Sequence, residues 1–374
     1  MLMASLRILH IVGEKASPFL LHQVEAQARL LPAAMFEQAV AAGETSTVRL
    51  AERILLRRTE DLKRRFGSDF VASRRLRRVI AEFRPKLAVC WDLAAAEQLR
   101  LALSGTRFGV KGVLMLFGPV RSASVIQRLR SNVRGERLHV LAYSDVLAEH
   151  LRGELGTTER VHALSPFCGH SGRLDRQAVR RQMGLAAEAP VVFMSDGGRI
   201  DDRILGLWGA AVAQKLHPRL RVVIPTATMT PKGIARCRHF AEGAVGGEIV
   251  RFCDAWQARA ALSAADVCLE PATQASESLA VVSAFADGVP VAATEAVRYG
   301  AGGSASELVM RIEKANARTV AAAVLRLIED GAYRDELVGR AREWAEANGS
   351  ELRYRGDLVR IYQQILQREW QVTV

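Results

Sequence analysis

The sequence predicts an α/β fold of two doubly wound parallel-sheet domains joined by an irregular linker. Three observations predict it. Apolar strand-like runs alternate with helical patterns from Leu6 to Leu164, and the alternation restarts at Pro190. Between them residues 165–174 (SPFCGHSGRL) lose periodicity and carry Pro, two Gly and two Ser. The length of 374 residues is too great for one ordinary core and suits two domains of roughly 150–200 residues.

Taken in order, Leu6–Val12 (LRILHIV) reads as a buried parallel strand ended by Gly13. A helical pattern follows from Pro18 to Ala42, and a long basic helical region from Arg49 to Lys86. Leu87–Trp91, Val110–Phe117, Leu138–Ser144 and Arg160–Leu164 are strand candidates. Asp92 heads a helix to Leu103, and Ser144 or Asp145 caps another over VLAEHLRGEL. After the linker, strands are predicted at Pro190–Met194, Leu220–Ile224, Glu248–Phe252, Val267–Leu269 and Val289–Ala293. Helices are predicted at Arg203–Lys215, Ala255–Ala264 and Glu277–Ala286, then at 317–330, 333–347 and 351–368. Ligands of such sheets bind beyond the carboxyl ends of the strands, here expected to open on a cleft between the domains.

Composition narrows the function classes. Hydrophobic residues make up 49% and charged residues 25%, which excludes a disordered or fibrous chain. The formal charge of +12 favours anionic partners such as nucleotide phosphates, acidic membranes or nucleic acid, or else a solvated basic surface. Residues 49–86 concentrate it, with 13 Lys or Arg against five acids and an interleaved apolar set including Leu62, Phe66, Leu76 and Ile80. That pattern reads as an anionic membrane-docking face or as a solvated helix face. Five scattered cysteines without a C-x-x-C pair point to a reducing compartment, and no run of about 18 apolar residues predicts a membrane span. The expectation is a cytoplasmic protein, with peripheral attachment at the inner membrane face left open.

No H-E-x-x-H, zinc-spaced His/Cys set or P-loop occurs, so neither a metal nor a P-loop cofactor is expected. Without a recognised nucleic-acid module, none is expected as partner. The loop SDGGRIDDR offers Gly197 and Gly198 for close backbone approach, then Arg199 and Arg203 as candidate diphosphate ligands. A turn paired to Asp201 and Asp202 is the alternative.

The segment Glu248–Pro271, with its Ala264-Ala265-Asp266-Val267 strand entry, and the Gly288-Val289-Pro290 that follows resemble the nucleotide-sugar domain of GT-B glycosyltransferases. The likeness is greatest to retaining glycosyltransferase family 4. It is weaker before residue 84 and covers nearly the whole chain. It implies a GT-B fold: a Rossmann-like acceptor-side domain over 1–168, a nucleotide-sugar-binding domain over 169–350, and a final helix within 351–374 crossing back onto the first. It further implies sugar transfer from a nucleotide-sugar donor to a glycan or lipid-linked acceptor. The resemblance puts Gly198, Arg199 and Arg203 on the diphosphate, Trp256 on the base, and Ser276, Glu277, Ser278 and Leu279 along the sugar. The family's two glutamates, eight positions apart, correspond here to Ala275 and Ser283, leaving Glu277 as the candidate catalytic acid. The alternative is a GT-B scaffold that has lost catalysis and serves binding or assembly.

Overall fold

The computed structural model describes residues 6–13, 16–43, 53–56, 68–118, 120, 122–134, 138–169, 175–244, 249–274, 276–298 and 307–370. For 43, 53–56, 68–71, 134, 244, 256, 276, 277, 298 and 367–370 only the backbone is described. The chain forms two compact units: Met1–Ala16 with Leu20–Ser165 and Glu351–Val374, and Ser17–Phe19 with Pro166–Ser350.

In the first unit β1 (Leu6–Val12), β2 (Phe36–Gly43), β3 (Arg53–Leu56), β4 (Leu87–Cys90), β5 (Lys111–Leu116), β6 (Leu138–Ala142) and β7 (Val161–Ala163) form one parallel sheet. Its order is β3-β2-β1-β4-β5-β6-β7. Leu9, Ile11, Leu114 and Val140 belong to its core, and the β4 and β6 strands are buried throughout, as apolar runs covered on both faces should be. Asp92 caps the helix Leu93–Leu103 by accepting the Ala95 N–H at 2.7 Å, and Ser144 caps Asp145–Leu155 by accepting that of Leu147 at 3.0 Å.

Two expected helices are corrected here. The pattern from Pro18 to Ala42 is a helix only over Pro18–Leu30, after which Phe36–Gly43 pairs beside β1. Pro32 is the reason: it cannot continue a helix and biases Leu31 away from helical angles. The basic region is not one helix either. Arg53–Leu56 is the edge strand β3 and the helix is Ser68–Phe83, while 49–52 and 57–67 lie outside the described residues. Helices at Ala123–Arg134, Arg176–Gln182 and Pro231–Ala244, unmarked by the sequence reading, complete the alternation.

Within this unit a buried polar and aromatic cluster replaces plain packing. The Trp91 indole N–H donates to His10 Nδ1 at 3.2 Å, so the neutral ring carries its proton on Nε2 and gives it to Gln38 Oε1 at 3.0 Å. Burial lowers the His10 pKa to about 4. The helix Glu351–Trp370 belongs to the same unit: the Tyr354 and Tyr143 hydroxyls lie 3.4 Å apart, and Gln27 donates to the Tyr362 hydroxyl.

The second unit holds β8 (Val191–Met194), β9 (Arg221–Pro225), β10 (Val250–Cys253), β11 (Val267–Glu270), β12 (Ser276–Glu277), β13 (Val291–Thr294), β14 (Val297–Arg298) and β15 (Met310–Ile312). Six of them make a parallel sheet in the order β10-β9-β8-β11-β13-β15, and β12 pairs with β14 apart from it. Strand alternation divides the core: Val191 and Phe193 pack on one face with Cys268, Val192 and Met194 on the other with Leu269. All five cysteines are buried and free. No helix among the described residues is long and apolar enough to cross a membrane.

Candidate functional site

In each sheet the strand order reverses beside the first strand, between β1 and β4 and again between β8 and β11. Ligands of doubly wound sheets bind beyond the strand ends at that switch point. In the first unit the position is filled. Asp92 Oδ2 accepts the Gly13 N–H at 2.9 Å, and a Cβ on Gly13 would collide with that carboxyl. An acid seated on the turn makes this a poor place for an anion.

The second switch point is built differently. After β8 the chain turns through Ser195-Asp196-Gly197-Gly198 into the helix Ile200–Gln214, which starts three residues before the expected Arg203. Gly198 adopts φ +73°, a left-handed angle that favours glycine. Gly197 sits so close to Glu270 that an added Cβ would lie 2.5 Å from Oε2. Gly197→Ala is therefore expected to displace the loop and to weaken any ligand it holds, measurable as a raised dissociation constant beside an unaltered circular dichroism spectrum.

Asp202 braces the turn. Its Oδ2 accepts the Arg199 N–H at 2.7 Å, while Oδ1 accepts the Thr273 N–H at 3.1 Å and hydroxyl at 2.6 Å from the loop after β11. A second helix start converges on the same place. Ser278 caps Leu279–Asp287 by accepting the Val281 N–H at 3.3 Å, and its hydroxyl lies 3.5 Å from that of Ser195. First-turn N–H groups lack intrahelical acceptors, so two helix N-termini bring partial positive charge to the switch point.

Glu270, at the carboxyl end of β11, lies between them and is fully buried. Ser195 donates its hydroxyl to Oε2 and accepts the Gly197 N–H at 3.1 Å, tying the carboxyl to the glycine loop. Loss of hydration raises the Glu270 pKa to about 7, against the Ser195 and Ser278 hydroxyls, which favour the ionised form. Asp196, which accepts the Ser17 hydroxyl, is also raised by desolvation. Neither acid was singled out from the sequence. The available signal for Glu270 was a lone carboxyl closing an otherwise apolar strand, Val267-Cys268-Leu269, directly before Pro271.

The two candidate arginines separate. Arg199 is the N-cap residue, with an exposed side chain 4.0 Å from Asp201, available to a ligand. Arg203 is buried, and its guanidinium donates to the Asp196 carbonyl at 2.8 Å, the Thr228 hydroxyl at 2.8 Å and the Pro225 carbonyl at 3.3 Å. It holds the loop together. Leu279 begins its helix half-buried, and Ser278 is committed to capping.

Glu277 and Ser276 form β12, two residues before the helix in which Glu277 was expected, because Ser278 supplies the cap. The side chains of Ser276, Glu277 and Trp256, and all of Ala275, lie outside the described residues. Trp256 belongs by its backbone to the helix Ala255–Ser263. Asp287, at the far end of Leu279–Asp287, pairs with Arg259 at 2.9 Å in a buried contact.

No protein-family model matches the chain, and neither does any curated protein. Solved structures do. The chain is similar to Anabaena HepE in complex with UDP-glucose, at 15% identity and a TM-score of 0.71 over 96% of this chain and 99% of that one. It is similar to a glycosyltransferase from Rickettsia africae, at 13% identity and 0.68 over 97% and 99%. It is also similar to the N-terminal domain of a Candida albicans trehalose-6-phosphate phosphatase, at 11% identity and 0.63 over 97% and 98%. Identities this low speak for the fold alone. The fold is GT-B, with two Rossmann-like parallel-sheet units.

Proposed function

We propose that the chain is a glycosyltransferase, similar to retaining family 4, which moves a sugar from a nucleotide-sugar donor to a glycan or lipid-linked acceptor on the cytoplasmic side of a membrane. The observation that supports it is the convergence of two helix N-termini on the Gly197–Gly198 backbone at the switch point of the second sheet, with Arg199 exposed at the rim. Backbone N–H groups and one exposed guanidinium suit a diphosphate, which needs donors and positive charge in a fixed place. The neighbour that holds UDP-glucose adds weight to a nucleotide-sugar ligand.

In this reading Gly198 and Arg199 receive the diphosphate and Arg203 keeps their loop in shape. Trp256 stacks on the base, and Ser276, Glu277, Ser278 and Leu279 border the sugar. Arg199 steadies the charge left on the departing phosphate, and Glu277 stabilises the positive charge growing on the sugar ring. No metal or cofactor enters the scheme. The basic segment 49–86 remains a candidate for anionic lipid.

A thermal-shift screen with UDP-, GDP- and ADP-sugars tests the donor. A ligand at about 100 times its dissociation constant adds about 2.7 kcal/mol, roughly 5–10 °C for a unit of this size. Arg199→Ala is expected to weaken that ligand roughly ten- to hundredfold with stability changed by less than about 0.5 kcal/mol. Unaltered affinity removes Arg199 from the site.

Glu277→Gln is expected to leave donor affinity intact and reduce turnover by on the order of a hundredfold. A competing reading, a scaffold that binds without turnover, is favoured by Ala275 and Ser283, the latter buried within its helix. Donor binding with no transfer to any acceptor decides for the scaffold.

A further inference from the structure

Among the described residues, the carboxyls of Asp196, Asp202 and Glu270 and the buried guanidinium of Arg203 lie around the glycine loop of the second unit. Asp196 comes from the loop after β8, Asp202 and Arg203 from the helix Ile200–Gln214, and Glu270 from β11. Asp202 accepts three hydrogen bonds, and Asp196 accepts the Ser17 hydroxyl. Glu270 Oε2 takes the Ser195 hydroxyl, whereas its Oε1 is buried with no hydrogen-bond partner among the described residues. A buried carboxylate oxygen with nothing to accept is costly as an anion, and a proton placed on it turns an idle acceptor into a donor.

An arriving diphosphate sharpens the problem. Its two negative charges would lie at a loop whose Gly197 rests against the Glu270 carboxyl, in surroundings too dry to screen the repulsion. Arg203 cannot swing out to compensate, because its guanidinium is held by two carbonyls and a hydroxyl. Neutralising Glu270 removes the repulsion and leaves the Ser195 tether to the Gly197 N–H in place.

We propose that Glu270 is a positioning residue that holds a proton, and that a nucleoside diphosphate sugar docks on the Gly197–Gly198 loop together with uptake of one proton by this carboxyl. The proposal rests on the nucleotide-sugar reading above. The proton comes from the buffer, settles on Oε1, and returns to the buffer when the ligand leaves; no other bond changes. A carboxyl already raised to about 7 by burial is poised for this near neutrality.

The test is calorimetric titration of the full chain with UDP-glucose, whose diphosphate diester does not titrate near neutral pH. At pH 7.5, two buffers of different ionisation heat report the protons taken up. The wild type is expected to take up most of one proton and to bind roughly tenfold more weakly per pH unit above about pH 7.5. Glu270→Gln, of equal shape and unable to titrate, is expected to bind with no uptake and no pH dependence. Ser195→Ala loses the tether but keeps the carboxyl, so binding weakens severalfold while uptake persists. Asp196→Asn is expected to retain uptake as well.

Wild-type binding that ignores pH overturns the proton linkage and leaves the nucleotide-sugar reading standing. Uptake that survives Glu270→Gln, or disappears in Asp196→Asn, overturns the assignment to Glu270. No binding of any nucleotide sugar at any pH overturns both. Should Glu270→Gln unfold, the Ser195→Ala and Asp196→Asn titrations still decide.

Discussion

Between pH 4.5 and 6.5 the two units of the chain are expected to change stability in opposite directions. In the first unit the neutral His10 ring is buried with its Nδ1 facing the Trp91 N–H, so protonation would set two donors against each other. Its pKa falls from 6.5 to about 4 on folding. The unfolded chain therefore binds the proton first, and the stability present above pH 6.5 is lost as pH falls toward 4. In the second unit Glu270 rises from 4.5 to about 7. Its folded form holds the proton more tightly, so stability is fully present below pH 4.5 and is lost as pH rises through 7. Each contribution is on the order of 3 kcal/mol, and Asp196, also raised, acts in the same sense as Glu270. Hydrogen exchange of β1 and β11 amides, corrected for intrinsic rates, should show β1 protection growing and β11 protection shrinking across this window. Glu270→Gln should weaken only the second trend, leaving the share that Asp196 carries. Parallel trends in the two units would refute the assignment.

The second large effect separates two arginines that look alike in SDGGRIDDR. Arg203→Met removes the donors to the Asp196 and Pro225 carbonyls and to Thr228, and with them the buried guanidinium that acts on Asp196 and Glu270. Unpaired buried acceptors and uncompensated carboxyls together cost about 3–5 kcal/mol. Urea unfolding should show this loss for Arg203→Met and almost none for Arg199→Ala. A small effect at Arg203 would mean that its hydrogen bonds do not hold the loop.

These two arginines also mark where the sequence stops being legible. The strands β1, β4, β6 and β8 are short apolar runs between polar segments, and pattern alone places them. Asp92 and Ser144 announce their helices because a cap residue precedes an apolar stretch. Phe36–Gly43 was hidden because FEQAVAAG carries helix formers, and only its place beside β1 makes it a strand. Helix phase decided the arginines. A start at Ile200 points Arg203 inward and leaves Arg199 at the rim, and a boundary error of three residues was enough to conceal it. Glu270 was hidden by its strand: nothing in VCLEP tells whether the acid faces water or lies beneath a loop.

The helix Glu351–Trp370, which lies with the first unit through Tyr143, Tyr354 and Tyr362, bears on how the protein emerges from the ribosome. Residues 351–370 are translated after the whole of 166–350, so the unit begun first is finished last. The nascent β6 strand leads into Tyr143, whose partner is made only 211 residues later. Nascent chains usually complete domains from the N-terminus onward. Here the second unit can close while the first still exposes an apolar face, which makes the first unit the natural client of a chaperone during synthesis. Nascent chains cut off after residue 350 and continued by a linker long enough to fill the exit tunnel should yield a protease-resistant fragment from 166 onward and a digestible N-terminal portion, and protection of both should appear only once the tyrosine-bearing helix has been released.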